Sequence, residues 1–363
     1  MSAGLALPGG AVCGISGAAC SGERPMTIGV ILVAYDTGEV LLDCLESLLA
    51  AARAPDGPDM RVLVVDNASP DGTLARLEGW ASGAVPWDRE GDLPFSPRPR
   101  GPVTLDKRDL KADGAHPVLA PAADGVVGFL QAGKNDGFAA GVNRGLETFA
   151  AMPEVEYFWI LNSDAMTEAE TPARLVAAAR AAGRFGIIGG RTYFQDPPLM
   201  IQTDGGWADM WLGRMRSANV GRTGRDVPGP EGLDYIPGCH MLVSRTFLET
   251  AGPMPEDYFL YYEEVDWCLR RGDLPLIWVA DAPIHHVAGG SIGSGTFQRG
   301  PSALSAYWMA RNRLRFVRRW NPMGLPTSWA YGAAKAIQLS LRGHGPAARA
   351  AWRGLTGLGF GGR

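Results

Sequence analysis

Residues 27–35 read TIGVILVAY, a short run of β-branched and apolar side chains. It is too short for a buried helix and predicts a strand covered on both faces. Downstream, VLLDCLESLLAAAR (40–53) spaces its apolar residues for a helix, and RVLVVDNAS (61–69) is a second buried strand closed by polar residues. Asp71 and Gly72 then lead into another short helix. The strand series continues through GVVGFLQ (125–131), YFWILNSD (157–164), GIIGGRTYF (186–194) and LPLIWVADAPIHH (274–286), with an alanine-rich helix over TPARLVAAARAAG (171–183). Buried strands separated by helices imply an α/β fold with a mainly parallel sheet. Such sheets bind ligands beyond the carboxyl ends of their strands, where Asp66, Asn67, Asn162 and Asp164 fall.

Composition narrows the function classes. The chain has 363 residues, 46% hydrophobic and 20% charged, as an ordinary globular protein does. A formal net charge of −4 argues against nucleic acid as a partner, since phosphate binding calls for excess positive charge. The average hides an asymmetry: no Asp or Glu follows Asp281, whereas eleven Lys and Arg residues run from Arg299 to Arg363. Such a segment suits an anionic membrane surface or a phosphorylated partner, or is simply a solvated basic face. Cys13, Cys20, Cys44, Cys239 and Cys268 are scattered, with neither a CxxC pair nor disulfide-like spacing, which fits a reducing cytoplasm. Residues 1–25 lack the basic start and apolar core of a signal peptide and read as a flexible leader. No run of ~18 apolar residues is present to span a bilayer. Residues 86–124, dense in Pro and Gly, break the strand–helix rhythm and read as a partly mobile insertion at the sheet edge. SALSAYWMARNRLRFVRRW (302–320) predicts a helix, and the remainder is helical with Trp329, Ile337, Leu341 and Trp352 on apolar sides.

Several short stretches carry chemistry. Asp66, where a buried strand meets polar residues, can accept from the N–H of a pyrimidine base or cap a helix. In GKNDGFAAGVNRG (133–145), glycines recur every four residues, which suits close backbone packing or approach to a phosphate. It is not GxGxxG, and it precedes its strand, so a dinucleotide fingerprint fits poorly. LNSDA (161–165) ends an apolar strand in one carboxylate, either a turn residue or a ligand for a hard cation that also holds substrate phosphates. His285 and His286 follow another strand and precede the Gly- and Ser-rich VAGGSIGSG. FLYYEEVDWCLRR (259–271) sets Glu263, Glu264 and Asp266 among aromatics, where unpaired charge is costly. Helical spacing places Glu263 with Trp267 and Arg270, and Asp266 with Arg270. Glu264 has no base at i+3 and is left free to accept a proton.

Taken in order, VAYDTGEVLLDCLESLL, VVDNASPDGT, NDGFAAGVNRG, WILNSDA, GIIGG, GCHMLVSRTFLETAG, FLYYEEVDWCLRR, HHVAGGS and YWMARNRLRFV resemble the family-2 glycosyltransferases, in particular their rhamnosyltransferase-like branch. The resemblance implies a GT-A fold, the Rossmann-like fold of nucleotide-diphospho-sugar transferases, over residues 26–298, followed by a basic helical region, 299–363. It also implies a nucleotide-diphosphate sugar donor, a divalent metal (Mg2+ or Mn2+) and inversion at the anomeric carbon. By the same resemblance Ala34, Tyr35, Asp36, Asp66, Asn67, Asn135, Gly137, Asn143, Asn162, Ser163 and Asp164 bind the donor. Asp164 and His286 hold the metal, with His285 as the fallback. Glu264 is the catalytic base, and Gly238, Glu263 and Asp266 support the active site. The expected acceptor is a growing, lipid-linked bacterial surface polysaccharide, and the expected location is the cytoplasm, peripheral on the inner face of its membrane. dTDP-rhamnose is the leading donor and UDP-galactofuranose its rival. Asn stands at position 162 where a first metal-motif Asp is common, and Glu at 264 where many relatives have Asp. A nicotinamide-dependent oxidoreductase and an inactive membrane scaffold are the alternatives from other classes.

Overall fold

The computed structural model describes residues 26–89, 93–96, 103–109, 119–287 and 300–360. The leader 1–25, most of the loop after His286, and parts of the 86–124 insertion lie outside the described residues. The strands are β1 (Thr27–Ala34), β2 (Asp59–Asp66), β3 (Thr104–Asp109), β4 (Val126–Gln131), β5 (Val155–Asn162), β6 (Ala165–Thr167), β7 (Ile187–Phe194), β8 (Ile201–Thr203), β9 (Gly206–Asp209), β10 (Arg214–Ser217), β11 (His240–Ser244) and β12 (Leu276–His286). The helices are α1 (Val40–Ala52), α2 (Thr73–Ser82), α3 (Phe138–Ala150), α4 (Thr171–Ala182), α5 (Arg245–Ala251), α6 (Glu263–Leu269), α7 (Ala303–Trp320), α8 (Leu325–Leu341) and α9 (Gly345–Leu355).

One large sheet runs β3-β4-β2-β1-β5-β11-β7-β12-β6, with β8 added beside β7. The pairs from β3 to β5 are parallel, as is β7 with β12, while β11 runs antiparallel between β5 and β7. This is the expected α/β sheet, mainly parallel, with helices on both faces and a helical extension at the C-terminal end.

Strand alternation explains the two cores. Along β1, Ile28, Val30, Leu32 and Ala34 face a cluster built on α1, α2 and α4, whereas Ile31 and Val33 face a second built on α3, α5, α6 and α7. β5 divides likewise, Trp159 and Leu161 to the first cluster and Phe158 and Ile160 to the second. The recurring glycines of α3 serve packing. A Cβ on Gly141 would sit 2.6 Å from Val33 Cγ1, and one on Gly145 2.5 Å from Ile31 Cγ2. Without those side chains α3 settles close onto β1 and brings its N-terminus to the strand ends.

Two expectations need correction here. The insertion supplies a strand, β3, paired in parallel with β4 at the sheet edge. Its TLDKRD sequence shows no apolar period because an edge strand has one neighbour and a solvated side. In FLYYEEVDWCLRR only Glu263–Leu269 is helical. Phe259, Tyr261 and Tyr262 take φ of 63°, 67° and 78°, left-handed values that cost non-glycine residues about 1–3 kcal/mol each. Buried Asn312 of α7 holds this bend, its amide donating to the carbonyls of Tyr258 and Leu260 at 2.7 Å.

Candidate active site

The carboxyl ends of β1, β2 and β5 open on one side of the sheet, and the candidate residues gather there. Ala34 O accepts from Asn67 N at 2.9 Å, joining the ends of β1 and β2. The loops beyond are tied twice more, Asp36 N donating to Ser69 Oγ at 3.3 Å and Gly38 N to Asp71 Oδ2 at 2.9 Å. Asp66, 2% exposed, accepts from Ser69 N and from Gln131 Nε2 at 2.9 Å. It anchors the turn after β2 and caps no helix, since the next helix begins at Thr73. Asn67 Nδ2 donates to Gly137 O at 2.9 Å, while its Oδ1 is buried with no partner among the described residues. Asn135 Oδ1 accepts from Gly137 N at 3.0 Å and shapes the turn into α3. Gly137 has φ of 98°, and a Cβ there would meet Phe259 O at 2.3 Å. Only glycine allows this approach, which joins the start of α3 to the bend before α6.

Asn143 stands apart from this group. Its Nδ2 donates to Met254 O and Glu256 Oε1, and its Oδ1 accepts from Met254 N, so the whole amide is engaged in holding the 254–256 turn. The donor-binding expectation for Asn143 is corrected to this structural bridge. Sequence spacing gave no warning, because a helix of this pitch presents its residues to several neighbours.

At the end of β5, Ser163 Oγ donates to Val33 O at 2.9 Å and fixes the turn that presents Asp164. β12 lies antiparallel to β6 with His286 opposite Ala165 and His285 opposite Met166. Consecutive strand residues point to opposite faces, so only one histidine can meet Asp164. That residue is His286, whose Nε2 lies 2.9 Å from Asp164 Oδ1 and 3.0 Å from Asn162 Nδ2. Its Nδ1 is 2.8 Å from Gln202 Oε1, an acceptor, so Nδ1 carries a proton and the neutral form of the ring has its lone pair on Nε2. In that neutral form Nε2 faces both the Asn162 amide and a carboxylate oxygen, and a cation could take the place of the amide contact. Oxygen and imidazole ligands suit Mg2+ or Mn2+, and the Nδ1–H to Gln202 contact is the second contact that metal-bound histidines usually make. Among the described residues no three His, Cys, Asp or Glu side chains group as a metal cage. A cation at this pair would therefore take its other ligands from substrate phosphates or water, as Mg2+ commonly does.

His285 belongs to a different cluster. Its Nε2 lies 3.1 Å from Glu168 Oε1, its ring packs on Tyr193, and Arg225 donates to the same carboxylate at 2.6 Å. Burial acts to raise the Glu168 pKa, but hydrogen bonds from His285 and Arg225 outweigh it and hold the carboxyl below its ordinary range.

The acids of α6 separate into distinct roles. Asp266 is fully buried and accepts from Tyr258 Oη, from Arg270 Nε at 2.7 Å and from Arg319 at 2.6 Å. Glu263, 4% exposed, is not paired with Arg270, contrary to the sequence expectation. Seven residues are two helical turns, and the arginine is taken by Asp266 at i+4. Glu263 Oε2 has no hydrogen-bond partner among the described residues. Burial, then repulsion from Glu264, pushes its pKa well above the ordinary value. Glu264 is half-buried, and desolvation raises its pKa against the lowering effect of amides at the start of α6. A Cβ on Gly238 would lie 3.5 Å from Glu264 Cβ, an ordinary contact that places this residue directly against the glutamate. The next residue, Cys239, accepts at its carbonyl from Asn162 N at 3.2 Å. Gly238 and Cys239 thus connect Glu264 with the strand end that carries Asp164.

Sequence reasoning missed Gln202, which orients His286 from the three-residue strand β8, and Gln131, which holds Asp66. Gln202 lies in no stretch read as an element, and Gln131 closes the strand read over 125–131 without any sign of its partner. Cys44, Cys239 and Cys268 are free and buried, and burial pushes the last two thiols up to about 12, leaving them unreactive. Cys13 and Cys20 lie outside the described residues.

Residues 29–91 match the model of glycosyl transferase family 2. The matched stretch contains most of β1 together with α1, β2 and α2, hence Asp36, Asp66 and Asn67, whereas Asp164, Glu264 and His286 lie beyond it. Among solved structures, the chain is similar to GalNAc-T7 crystallised with UDP, GalNAc and Mn2+, at 13% identity and a TM-score of 0.53, covering 87% of this chain and 52% of that one. This likeness supports the GT-A fold. Residues 1–349 of Staphylococcus aureus TarS align at 13% identity and a TM-score of 0.45, covering 82% of this chain and 66% of that one. The mannosyltransferase PcManGT of Pyrobaculum calidifontis, in complex with GDP-Man and Mn2+, aligns at 17% identity and a TM-score of 0.48, covering 87% and 76%. The chain thus spans just under two-thirds of the TarS fragment and about half of GalNAc-T7. No curated protein matches it in sequence.

Proposed function

We propose that the protein is an inverting, metal-dependent glycosyltransferase that moves a sugar from a nucleotide-diphosphate donor to a hydroxyl of a lipid-linked bacterial surface polysaccharide. The observation that supports this reading is the Asp164–His286 contact beside Cys239, whose thiol feels the charges of both Asp164 and Glu264, a glutamate of raised pKa.

Asp164 Oδ1 and His286 Nε2 would hold Mg2+ or Mn2+, which supplies Lewis-acid stabilisation of the departing diphosphate. Gln202 keeps the His286 proton on Nδ1 so that Nε2 can ligate. Glu264 accepts the proton of the acceptor hydroxyl as it attacks the anomeric carbon from the face opposite the diphosphate. A positioned base of this kind contributes ~10²–10⁴-fold, and desolvation brings its pKa nearer the working pH. Asp266, locked by its arginines, fixes α6 and so the position of the base.

The ordered motifs favour dTDP-rhamnose as donor, with the nucleotide set against Ala34–Asp36 and Asp66. UDP-galactofuranose is the alternative on the same site. The basic C-terminal region supports a peripheral place on the inner face of the cytoplasmic membrane. No helix among the described residues is long and apolar enough to cross a membrane.

The test is turnover of dTDP- and UDP-sugars with Mn2+ and a lipid-linked acceptor. The expected result is transfer that prefers dTDP-rhamnose and falls ~10²–10⁴-fold in Glu264→Gln. No turnover of any nucleotide sugar, or undiminished turnover in that variant, overturns the proposal.

A further inference from the structure

A second site lies away from the strand ends, among the C-terminal helices. A cleft of about 410 Å³ opens between the β9–β10 hairpin and α7, α8 and α9. Arg214 of β10, Met309 and Arg313 of α7, and Tyr331, Lys335 and Leu339 of α8 line it, so cations and apolar side chains share one wall. Arg313 is 9% exposed, and its Nε has no hydrogen-bond partner among the described residues. Its guanidinium sits 5.0 Å from the Tyr331 ring centroid, with Lys335 Nζ at 5.7 Å from the same ring. Two cations gathered on one aromatic, one of them with a buried N–H left unpartnered, give the cleft excess positive charge, the chemistry that suits an anionic oxygen.

The neighbouring face of α8 says what carries that oxygen. Trp329, Ile337 and Leu341 are exposed there, Ile337 by 50% and Leu341 by 84%, with exposed Met323 in the turn just before the helix. Exposed Pro326, Ala330 and Ala334 fill the helical spacing between them, leaving a stripe without charge. Arg342 and Lys335 flank it. An apolar stripe edged by cations is the pattern of a helix lying in a membrane interface. The absence of Asp and Glu after Asp281 removes repulsion from an anionic surface. Tyr331, Lys335, Gln338 and Leu339 occupy the helix face next to this stripe, so a lipid head could enter the cleft sideways while its chains stay in the bilayer.

We propose that this cleft binds the phosphate monoester head of a membrane lipid, with the α8 stripe seated in the lipid surface. The site stands whether or not the strand-end site transfers a sugar, and its test reads binding, so the two can fail separately.

The full chain is floated with phosphatidylcholine vesicles with and without phosphatidic acid. Binding is expected with phosphatidic acid, weakening as salt rises. Arg214→Gln with Lys335→Gln should lower affinity by about fivefold per cation, whereas Arg349→Gln, a basic residue on α9 outside the cleft, should change it less than twofold. Ile337→Glu should abolish vesicle binding yet leave binding of soluble dioctanoyl phosphatidic acid intact. Arg313→Gln, checked for folding by its melting temperature, is the buried counterpart of the exposed pair. Equal losses in the cleft and Arg349 variants would mean unspecific charge attraction, and competition by equimolar inorganic phosphate would mean a free-phosphate site. Either result overturns the proposal, as does the absence of binding.

Discussion

His285 and His286 are neighbours on β12, each 2.9–3.1 Å from a carboxylate, yet the two pairs are built for different ends. Glu168 beside His285 is also held by Arg225, so its charge is balanced within the protein. Asp164 beside His286 has no arginine among the described residues, and the imidazole meets the Asn162 amide at Nε2 and Gln202 at Nδ1. The first pair is balanced by an arginine, whereas the second has no arginine among the described residues, which leaves its charge open to a cation. The lesson is that a His–carboxylate distance alone does not distinguish a ligand site. The second partner of each ring and each acid does.

Breaking the two pairs should give opposite signatures. Asp164→Ala and His286→Ala should each lower Mn2+-dependent turnover by about 10³-fold, the several kcal/mol a metal supplies to transition-state charge, with little change in melting temperature. Equal losses of stability and turnover would make both residues structural. Gln202→Ala sharpens the comparison, since losing the contact that orients a metal-bound histidine should weaken Mn2+ about 10–100-fold. Titration followed by electron paramagnetic resonance would measure this without turnover.

The other pair should answer in stability. Glu168→Ala leaves Arg225 and buried His285 unpaired and should cost about 1–3 kcal/mol in urea unfolding, with turnover within about twofold. The Glu168 carboxyl lies lower in the folded protein than its ordinary 4.5. Its contribution is therefore present above pH 4.5 and lost as pH falls through the folded value, and the variant should lack that acid-side loss. The smallest effect is expected at Glu263. Its folded pKa lies above the ordinary 4.5, so the folded state holds the proton more tightly. Stability is then highest below pH 4.5 and declines as pH rises toward the folded value. Glu263→Gln should flatten this decline, seen as a melting temperature raised more at pH 8 than at pH 5. An unchanged pH profile would mean that Glu263 is solvated.

Much of the sheet was legible because β1, β2, β4, β5, β7 and β12 are apolar runs that cannot be solvated. Their ends were less so: β2 stops at Asp66, not at Ser69, because the aspartate turns back to accept from Ser69 N. β3 escaped notice since a polar edge strand has no period to read. The bend at Phe259–Tyr262 was hidden too, because aromatic residues do not advertise left-handed φ, and it takes Gly137 and Asn312 to hold it. In the site, the ordered motifs named Asp164 and Glu264, but Gly238 and Cys239 join them only in three dimensions. The choice between His285 and His286 needed the register of β12 against β6. The Glu263–Arg270 pairing failed because Asp266 lay one turn nearer.

The central claim is that the Asp164–His286 pair, and not the Glu168–His285 pair, holds a metal together with a nucleotide diphosphate. Calorimetric titration of dTDP and UDP into the parent, Asp164→Ala and Glu168→Ala, with and without Mn2+, tests it most directly. Mn2+ should tighten nucleotide binding in the parent and in folded Glu168→Ala, and have no effect in Asp164→Ala. Metal-independent binding by the parent, or the same loss in both variants, would contradict it.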